Sequence, residues 1–328
     1  MITGPNGSGK TNFLEALSLL APGRGLRGSI SADMQNQKHA GTPWAVAVNL
    51  ETREGPLHFK ISRHAAGRRT EMNGLPLKRQ LDLAGLVSAL WVTPTMDLLF
   101  KEGMAVRRRF LDRLCISLDP FYAPLLLSFE KALKTWRFLV EKGTAPNLLP
   151  PNIEPFLAQR AVMLAAKRTD WLAKLLSAIQ SESLCDKPFK ANLSSGEKDD
   201  QPDTEQMFLE KLQGARKRYQ VGSRLSLTFG PQTAKWAVYY DDVPIHLCST
   251  GQQKMALLAF VLGAAFVRAD QDPTKPFFLL LDELSSHLDQ NRLAHICVKL
   301  SKPSFLPFIT GTEPLKALEP LAPQLLSF

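Results

Sequence analysis

The residues best equipped for chemistry stand at the front of the chain. Gly4-Pro5-Asn6-Gly7-Ser8-Gly9-Lys10-Thr11 satisfies GxxxxGK[ST] at every fixed position, the pattern of a loop that wraps the phosphates of a nucleotide. Each residue type has a reason. The glycines let the backbone turn tightly and aim its N–H groups at phosphate oxygens. Lys10 offers a cation to the β- and γ-phosphates, and the Thr11 hydroxyl is a ligand for Mg²⁺. All of Gly4 to Thr11 are therefore candidate contacts to ATP.

A second set lies 272 residues beyond Lys10. Phe277-Phe278-Leu279-Leu280-Leu281 is an unbroken apolar run that ends in Asp282-Glu283, which reads as a parallel strand buried on both faces. Asp282 is placed to hold Mg²⁺, directly or through water. Glu283 is the candidate general base for the water that attacks the γ-phosphate. Lys10, Asp282 and Glu283 form the candidate catalytic set, and Thr11 and Asp282 the metal ligands. Upstream, Cys248-Ser249-Thr250-Gly251-Gln252-Gln253 precedes a helical run from Lys254 to Val267. Ser249 suits either a helix N-cap or a donor to phosphate, and Gly251 allows close backbone approach. Ser249, Gly251 and Gln252 join the nucleotide-binding candidates.

Elements must position these groups. A helix is expected over Asn12–Leu20, with Phe13, Leu17 and Leu20 on one face. The loop should leave a buried strand, yet Met1-Ile2-Thr3 alone precede it; a truncated start, with at least one sheet strand missing, is the expectation. Alternation at Trp44, Val46, Val48 and Leu50, then Leu57, Phe59 and Ile61, predicts antiparallel strands with turns at Glu54-Gly55, Gly67 and Asn73-Gly74. Helices are expected over Leu83–Leu90, Ala105–Ile116, Pro120–Glu141, Pro151–Ala178 and Glu205–Arg218. Linkers are expected at 143–146 and 196–202. Strands return at Leu225–Phe229 and Lys235–Tyr240.

Composition sets the class. The chain has 328 residues, 45% hydrophobic and 22% charged, the make-up of a globular protein. A surplus of 40 Lys and Arg over 31 Asp and Glu gives +9, which favours an anionic partner, nucleic acid first. Arg107-Arg108-Arg109 with Arg113 on one helix, and Arg24 with Arg27, are candidate DNA-facing groups; Lys60, Arg63, Arg68 and Arg69 read either as a DNA-facing edge or as a solvated hairpin. Contacts to phosphate would position a duplex without reading its sequence. Four scattered cysteines (Cys115, Cys185, Cys248 and Cys297) lack metal-ligand spacing and suit a reducing cytoplasm. No run approaches the ~20 apolar residues that cross a bilayer, so no membrane partner is expected. The histidines outside the acidic strand's tail read as surface or structural residues.

Loop, Ser249-centred signature and acidic strand follow one another in the order of the ABC-type ATPases, and Ser286-His287-Leu288-Asp289 resembles their D-loop. Closer still is the RecF family, on Leu19 to Arg27, Arg107 to Asp112, Cys248 to Lys254 and Leu279 to Asp289. The resemblance implies an α/β fold: an ABC-type P-loop head with an antiparallel side sheet and an inserted, mainly helical arm. The division would be 1–76 and 221–328 for the two parts of the head and 77–220 for the arm. It implies a slow, cytoplasmic ATPase that takes ATP and Mg²⁺. Two heads would sandwich two nucleotides, each signature capping the opposite loop. The clamp would close on gapped or duplex DNA and help recombinase loading with RecR-like and RecO-like mediators, and His287 would be a dimer contact. A transporter-type energiser and an inactive truncated head are the alternatives.

The sequence departs from the family twice more. Gly230-Pro231-Gln232-Thr233 stands where the family commonly has Gly-Pro-His-Arg. Thr310-Gly311-Thr312 follows the next strand where many ABC ATPases have a histidine, so either Thr310 or Thr312 does that job or nothing does.

Overall fold

In the computed structural model the strands run, in chain order, β1 (Ile2–Thr3), β2 (Ala45–Thr52), β3 (Gly55–His64), β4 (Gly67–Met72), β5 (Leu75–Pro76), β6 (Ser88–Val92), β7 (Phe189–Ser195), β8 (Ala234–Tyr240), β9 (Val243–Pro244), β10 (Phe277–Leu281), β11 (Leu306–Gly311) and β12 (Leu326–Ser327). The helices are α1 (Lys10–Ser18), α2 (Met104–Leu118), α3 (Tyr122–Glu141), α4 (Ile153–Ser181), α5 (Glu205–Arg218), α6 (Thr250–Gln271) and α7 (Gln290–Leu300). The structure describes residues 1–23, 25–28, 44–52, 55–64, 67–78, 80–195, 204–220, 222–223, 225–286, 288–300, 305–321 and 323–328. Arg24, His39, His287, Glu54 and the linker expected at 196–202 lie outside them.

A parallel sheet in the order β12-β1-β11-β10-β6 carries the site. Its registers set Ile2 beside Thr310, and Leu281 beside both Ile309 and Val92. The carboxyl ends of β1, β11, β10 and β6 therefore finish at one edge, where ligands bind in open α/β sheets. The sheet is covered on both faces. Ala89, Trp91, Phe278 and Leu280 pack with α1 and the antiparallel strands, in a core that includes Leu14, Leu17, Phe59 and Ile61. Their alternates, Leu90, Val92, Leu279 and Leu281, pack into the larger core built by α2 to α6. Such strands show no alternation in sequence because neither face meets water.

That double burial explains one correction. The helix expected over Leu83–Leu90 is instead a 3₁₀ turn, Gln80–Gly85, followed by strand β6, all five of whose residues are buried. Leu225–Phe229 forms no strand, and β7, which pairs with β8, was not read. Helix α1 begins at Lys10 rather than Asn12; Leu14 and Ser18 are fully buried and Leu17 is buried as expected, whereas Phe13 sits at the edge against Phe308 and Phe328. The other helices match to within a few residues, and Glu205–Arg218 matches at both ends. The antiparallel sheet β2-β3-β4-β5 is present. Asn73 and Gly74, at φ 50° and 79°, make the two-residue turn that joins β4 to β5.

Apolar helix α6 is long enough to cross a membrane, but 83% of its apolar window is buried inside the fold, where it packs against α4 and α2. The helical layer is pinned by one buried ion pair. Arg168 on α4 donates from Nε to Asp112 Oδ1 at 2.9 Å and from Nη2 to Oδ2 at 3.0 Å. Its Nη1 donates to the Pro231 carbonyl at 2.5 Å, and the Tyr122 hydroxyl donates to the same Asp112 carboxylate at 2.5 Å. Three helices and the loop before β8 thus share one guanidinium, and satisfied networks of this kind rigidify a core.

Candidate nucleotide-binding site

The chain leaves β1 into a loop whose three glycines, Gly4, Gly7 and Gly9, all sit at positive φ. Gly9 caps α1 at φ 108°, in the left-handed region. At Gly4 (φ 155°) an added Cβ would meet the Phe328 carbonyl oxygen at 2.7 Å and Ser8 Oγ at 2.9 Å. The loop closes over its own lysine: Lys10 Nζ donates to the carbonyls of Gly4 at 2.7 Å and Pro5 at 2.9 Å. The ammonium is thereby held inside the loop rather than swung into solvent, with the α1 N-terminus directly behind it.

The distant acids arrive at the same place. Thr11 Oγ1 lies 3.2 Å and 3.1 Å from the two carboxylate oxygens of Asp282, and Asp282 N–H donates to the Val92 carbonyl at 2.9 Å. A hydroxyl facing a carboxylate is the hard-oxygen donor pair that Mg²⁺ selects, so the residues present fit that ion. Thr310, on the intervening strand β11, is 1% exposed. Its Oγ1 donates to Asp282 Oδ1 at 2.6 Å and accepts the Glu283 N–H at 3.0 Å. Of the two threonines considered for the missing histidine's place, the structure brings Thr310 to the acid pair and leaves Thr312 exposed. Glu283 itself sits at φ 50°, a conformation that costs a non-glycine residue about 1–3 kcal/mol and marks functional loops. Its side chain is exposed toward the open edge.

Thr310 gives a direct test. Thr310→Val keeps the shape but removes the donor to Asp282 and the acceptor for Glu283 N–H. We expect ATP turnover to fall about tenfold and stability by about 1–2 kcal/mol, measured by phosphate release and urea unfolding. Unchanged turnover would free Thr310 of any part in aligning the acids.

The Ser249–Gln252 signature forms the start of a helix. Ser249 Oγ accepts from Gln252 N–H at 3.3 Å while Gln252 Oε1 accepts from Ser249 N–H at 2.9 Å, a capping box at the head of α6. Of the two roles considered for Ser249, the N-cap is the one observed. Among the described residues the side-chain hydrogen bonds of Ser249 and Gln252 run to each other and not to the phosphate loop, and Leu247 beside them is 69% exposed. Sequence reasoning missed Lys254 and Asp97, which lie 3.7 Å apart beneath this helix. A lysine inside an apolar helical run was the available signal.

The basic candidates divide differently from the expectation. Arg107 donates to the Phe100 carbonyl and Arg108 to that of Ala234 at 2.9 Å. Arg113 stacks on Trp91 and Phe110, and burial pulls its guanidinium down to about 9. Arg68 donates to the carbonyls of Leu19 at 2.6 Å and Gly23 at 3.1 Å, and burial pulls it down to about 10 against the opposing pull of Glu15. Arg68, Arg107 and Arg108 are thus clamps on main-chain carbonyls and Arg113 is a buried stack; none of the four is an open cation. Arg109, Lys60 and Arg69 are exposed, the last paired with Glu71 at 2.9 Å. Arg27 is exposed too and holds Asn12 at 2.9 Å. At the altered Gly-Pro motif, Gln232 donates to the Phe229 carbonyl at 2.6 Å and Thr233 to that of Gly230 at 2.9 Å.

Comparison with known proteins bears on this arrangement. Residues 1–40 match the family model described as AAA domain, putative AbiEii toxin, Type IV TA system. The DNA replication and repair protein RecF of Mesorhizobium japonicum is 34% identical over 327 residues, spanning 95% of this chain and 85% of that protein. The protein of the same description from Rhizobium etli is 33% identical over 95% of this chain and 86% of its own length. The chain belongs to the RecF family. A solved structure of the recombination mediator protein RecF with ATP superimposes on this RecF-family chain with a TM-score of 0.78 at 25% identity, over 97% of this chain and 88% of that one. An Smc head bound to the C-winged helix domain of ScpA shares the fold, with a TM-score of 0.51 at 13% identity over 99% and 85% of the two chains. The RecF-family fold here is the ABC-type ATPase head, with a parallel sheet and two antiparallel ones.

Proposed function

We propose that this chain is an ATP-driven DNA clamp of replication and recombinational repair. The observation that carries the reading is the meeting of Thr11, Asp282, Thr310 and Glu283 at the start of the helix that Lys10 opens, drawn from segments 271 residues apart. Lys10 and the loop N–H groups hold the phosphates. Thr11 and Asp282 hold Mg²⁺, which supplies charge neutralisation on the phosphoryl oxygens. Glu283 takes the proton of the attacking water, and Thr310 keeps the acid pair in register. Ser249, Gly251 and Gln252 cap the nucleotide of a second head, which an exposed Ser249 and half-buried Gly251 and Gln252 at the start of α6 allow. ATP prefers the closed pair of heads, so it shifts the population toward closure, and slow hydrolysis reopens it.

DNA as the partner is supported by the relatives' description as DNA replication and repair proteins and by the +9 charge. The RecFOR pathway of the solved neighbour supports RecR-like and RecO-like mediators. The division at 1–76, 77–220 and 221–328 belongs to the same reading, with β6 the element of the middle span that joins the head sheet.

Sedimentation with and without ATP, Mg²⁺ and a gapped duplex tests it. ATP should drive dimerisation on DNA, Lys10→Ala should abolish it and Glu283→Gln should prolong it. A chain that stays monomeric with ATP bound would sink the clamp.

A further inference from the structure

Lys254 has no exposed surface at all, a costly position for an ammonium unless its partners are fixed. Those partners belong to the catalytic edge. Lys254 Nζ donates to Ser286 Oγ at 2.5 Å and to the Glu283 carbonyl at 3.4 Å, and stands 3.7 Å from Asp97 Oδ2. Burial lowers its pKa, and Asp97, then Glu283 and Asp282, oppose that fall. The Glu283 carbonyl also accepts the Ser286 N–H at 3.0 Å, so the turn that holds Glu283 in its left-handed conformation is tied off at both ends by Ser286 and Lys254. Asp97 lies in the 3₁₀ turn Pro94–Leu98, directly after β6, whose Val92 carbonyl receives Asp282 N–H.

One side chain therefore joins three pieces: the helix that starts at the Ser249 cap, the turn that bears the base, and the turn beyond the neighbouring strand. Lys254 is on the first turns of α6, so a displacement of the cap moves its ammonium. It is too deeply buried to meet nucleotide itself. We propose that Lys254 is a positioning residue that transmits seating of the Ser249–Gln252 cap to Glu283 of the same head. In a closed pair of heads the cap serves the partner's nucleotide while Glu283 serves its own, so Lys254 makes hydrolysis at one nucleotide conditional on occupancy of the other. The inference rests on the clamp reading above.

The test uses the full chain as Ser286→Ala, Lys254→Met and Lys254→Arg beside wild type and Lys10→Ala. Four quantities are read: ATP turnover with gapped duplex, affinity for a fluorescent ATP analogue, ATP-dependent dimerisation and Tm. Ser286→Ala removes one oxygen and keeps the helix, so it guards against simple loss of fold in Lys254→Met. We expect kcat to fall about tenfold or more in both, with KM and nucleotide affinity within about threefold and dimerisation retained, and partial recovery in Lys254→Arg. A purely structural lysine would lower Tm, affinity and kcat together in Lys254→Met and leave Ser286→Ala at wild-type kcat; that result overturns the proposal. Wild type that neither turns over ATP nor differs from Lys10→Ala overturns the clamp reading and this inference with it. Wild type that turns over ATP beside an unimpaired Ser286→Ala overturns this inference alone.

Discussion

Asp282→Asn lowers ATP turnover by about a hundredfold or more while leaving Tm near that of wild type. The asymmetry follows from what the carboxylate touches. Thr11 and Thr310 both donate hydroxyl hydrogens to it, at 3.1–3.2 Å and 2.6 Å, and an amide oxygen can still accept from one of them. The fold therefore loses little. The chemistry loses a formal negative charge where Mg²⁺ is to be held against the phosphates, and a neutral amide is a poor ligand for so hard a cation. Phosphate release at saturating ATP and Mg²⁺, beside a thermal melt, separates the two effects. Turnover within a few-fold of wild type would remove Asp282 from the metal site.

Arg168→Met has the opposite profile, with a loss of about 3–5 kcal/mol of stability and no contact to the phosphate loop. The substitution strands the Asp112 carboxylate inside the helical layer and leaves the Pro231 carbonyl without its donor. A cost of that size is a large share of the ~5–15 kcal/mol that holds a domain together. Urea unfolding should show the midpoint fall sharply. Arg168→Met combined with Asp112→Leu should recover much of it, because no charge is then left unpaired. A single variant as stable as wild type would mean that the pair contributes nothing net to the layer.

The site was largely legible and the framework less so, for physical reasons. The phosphate loop, the Asp282-Glu283 strand end and the Ser249 signature are local patterns, in which the spacing of a few residues fixes the local chemistry. Antiparallel strands β2 to β5 were readable because one face meets solvent and the sequence alternates. Strand β6 was not, since Ala89 and Trp91 face one core and Leu90 and Val92 the other, and an apolar run of that kind carries no period. Charge misled in the same way. Nothing in Arg107-Arg108-Arg109 says that the first two spend their donors on the carbonyls of Phe100 and Ala234, because those acceptors are set by tertiary packing. Thr310 stood between: its neighbourhood was expected, and register with Ile2 selected it over Thr312.

The order of strands in the parallel sheet has a consequence for how the chain comes to fold. Several of its pairings join residues far apart in sequence, Ile2 with Thr310 and Leu90 with Leu279. The helical layer is stitched by nearer ones, such as Tyr122 with Asp112 and Arg168 with Asp112. Short closures form fast and long ones slowly. Helices α2 to α4 should thus collapse early, while the phosphate loop waits for β11 to give it a floor. ATP cannot chaperone that early intermediate, since a ligand stabilises only a state that already holds its pocket. Refolding followed by helix formation should accordingly run ahead of the return of nucleotide binding.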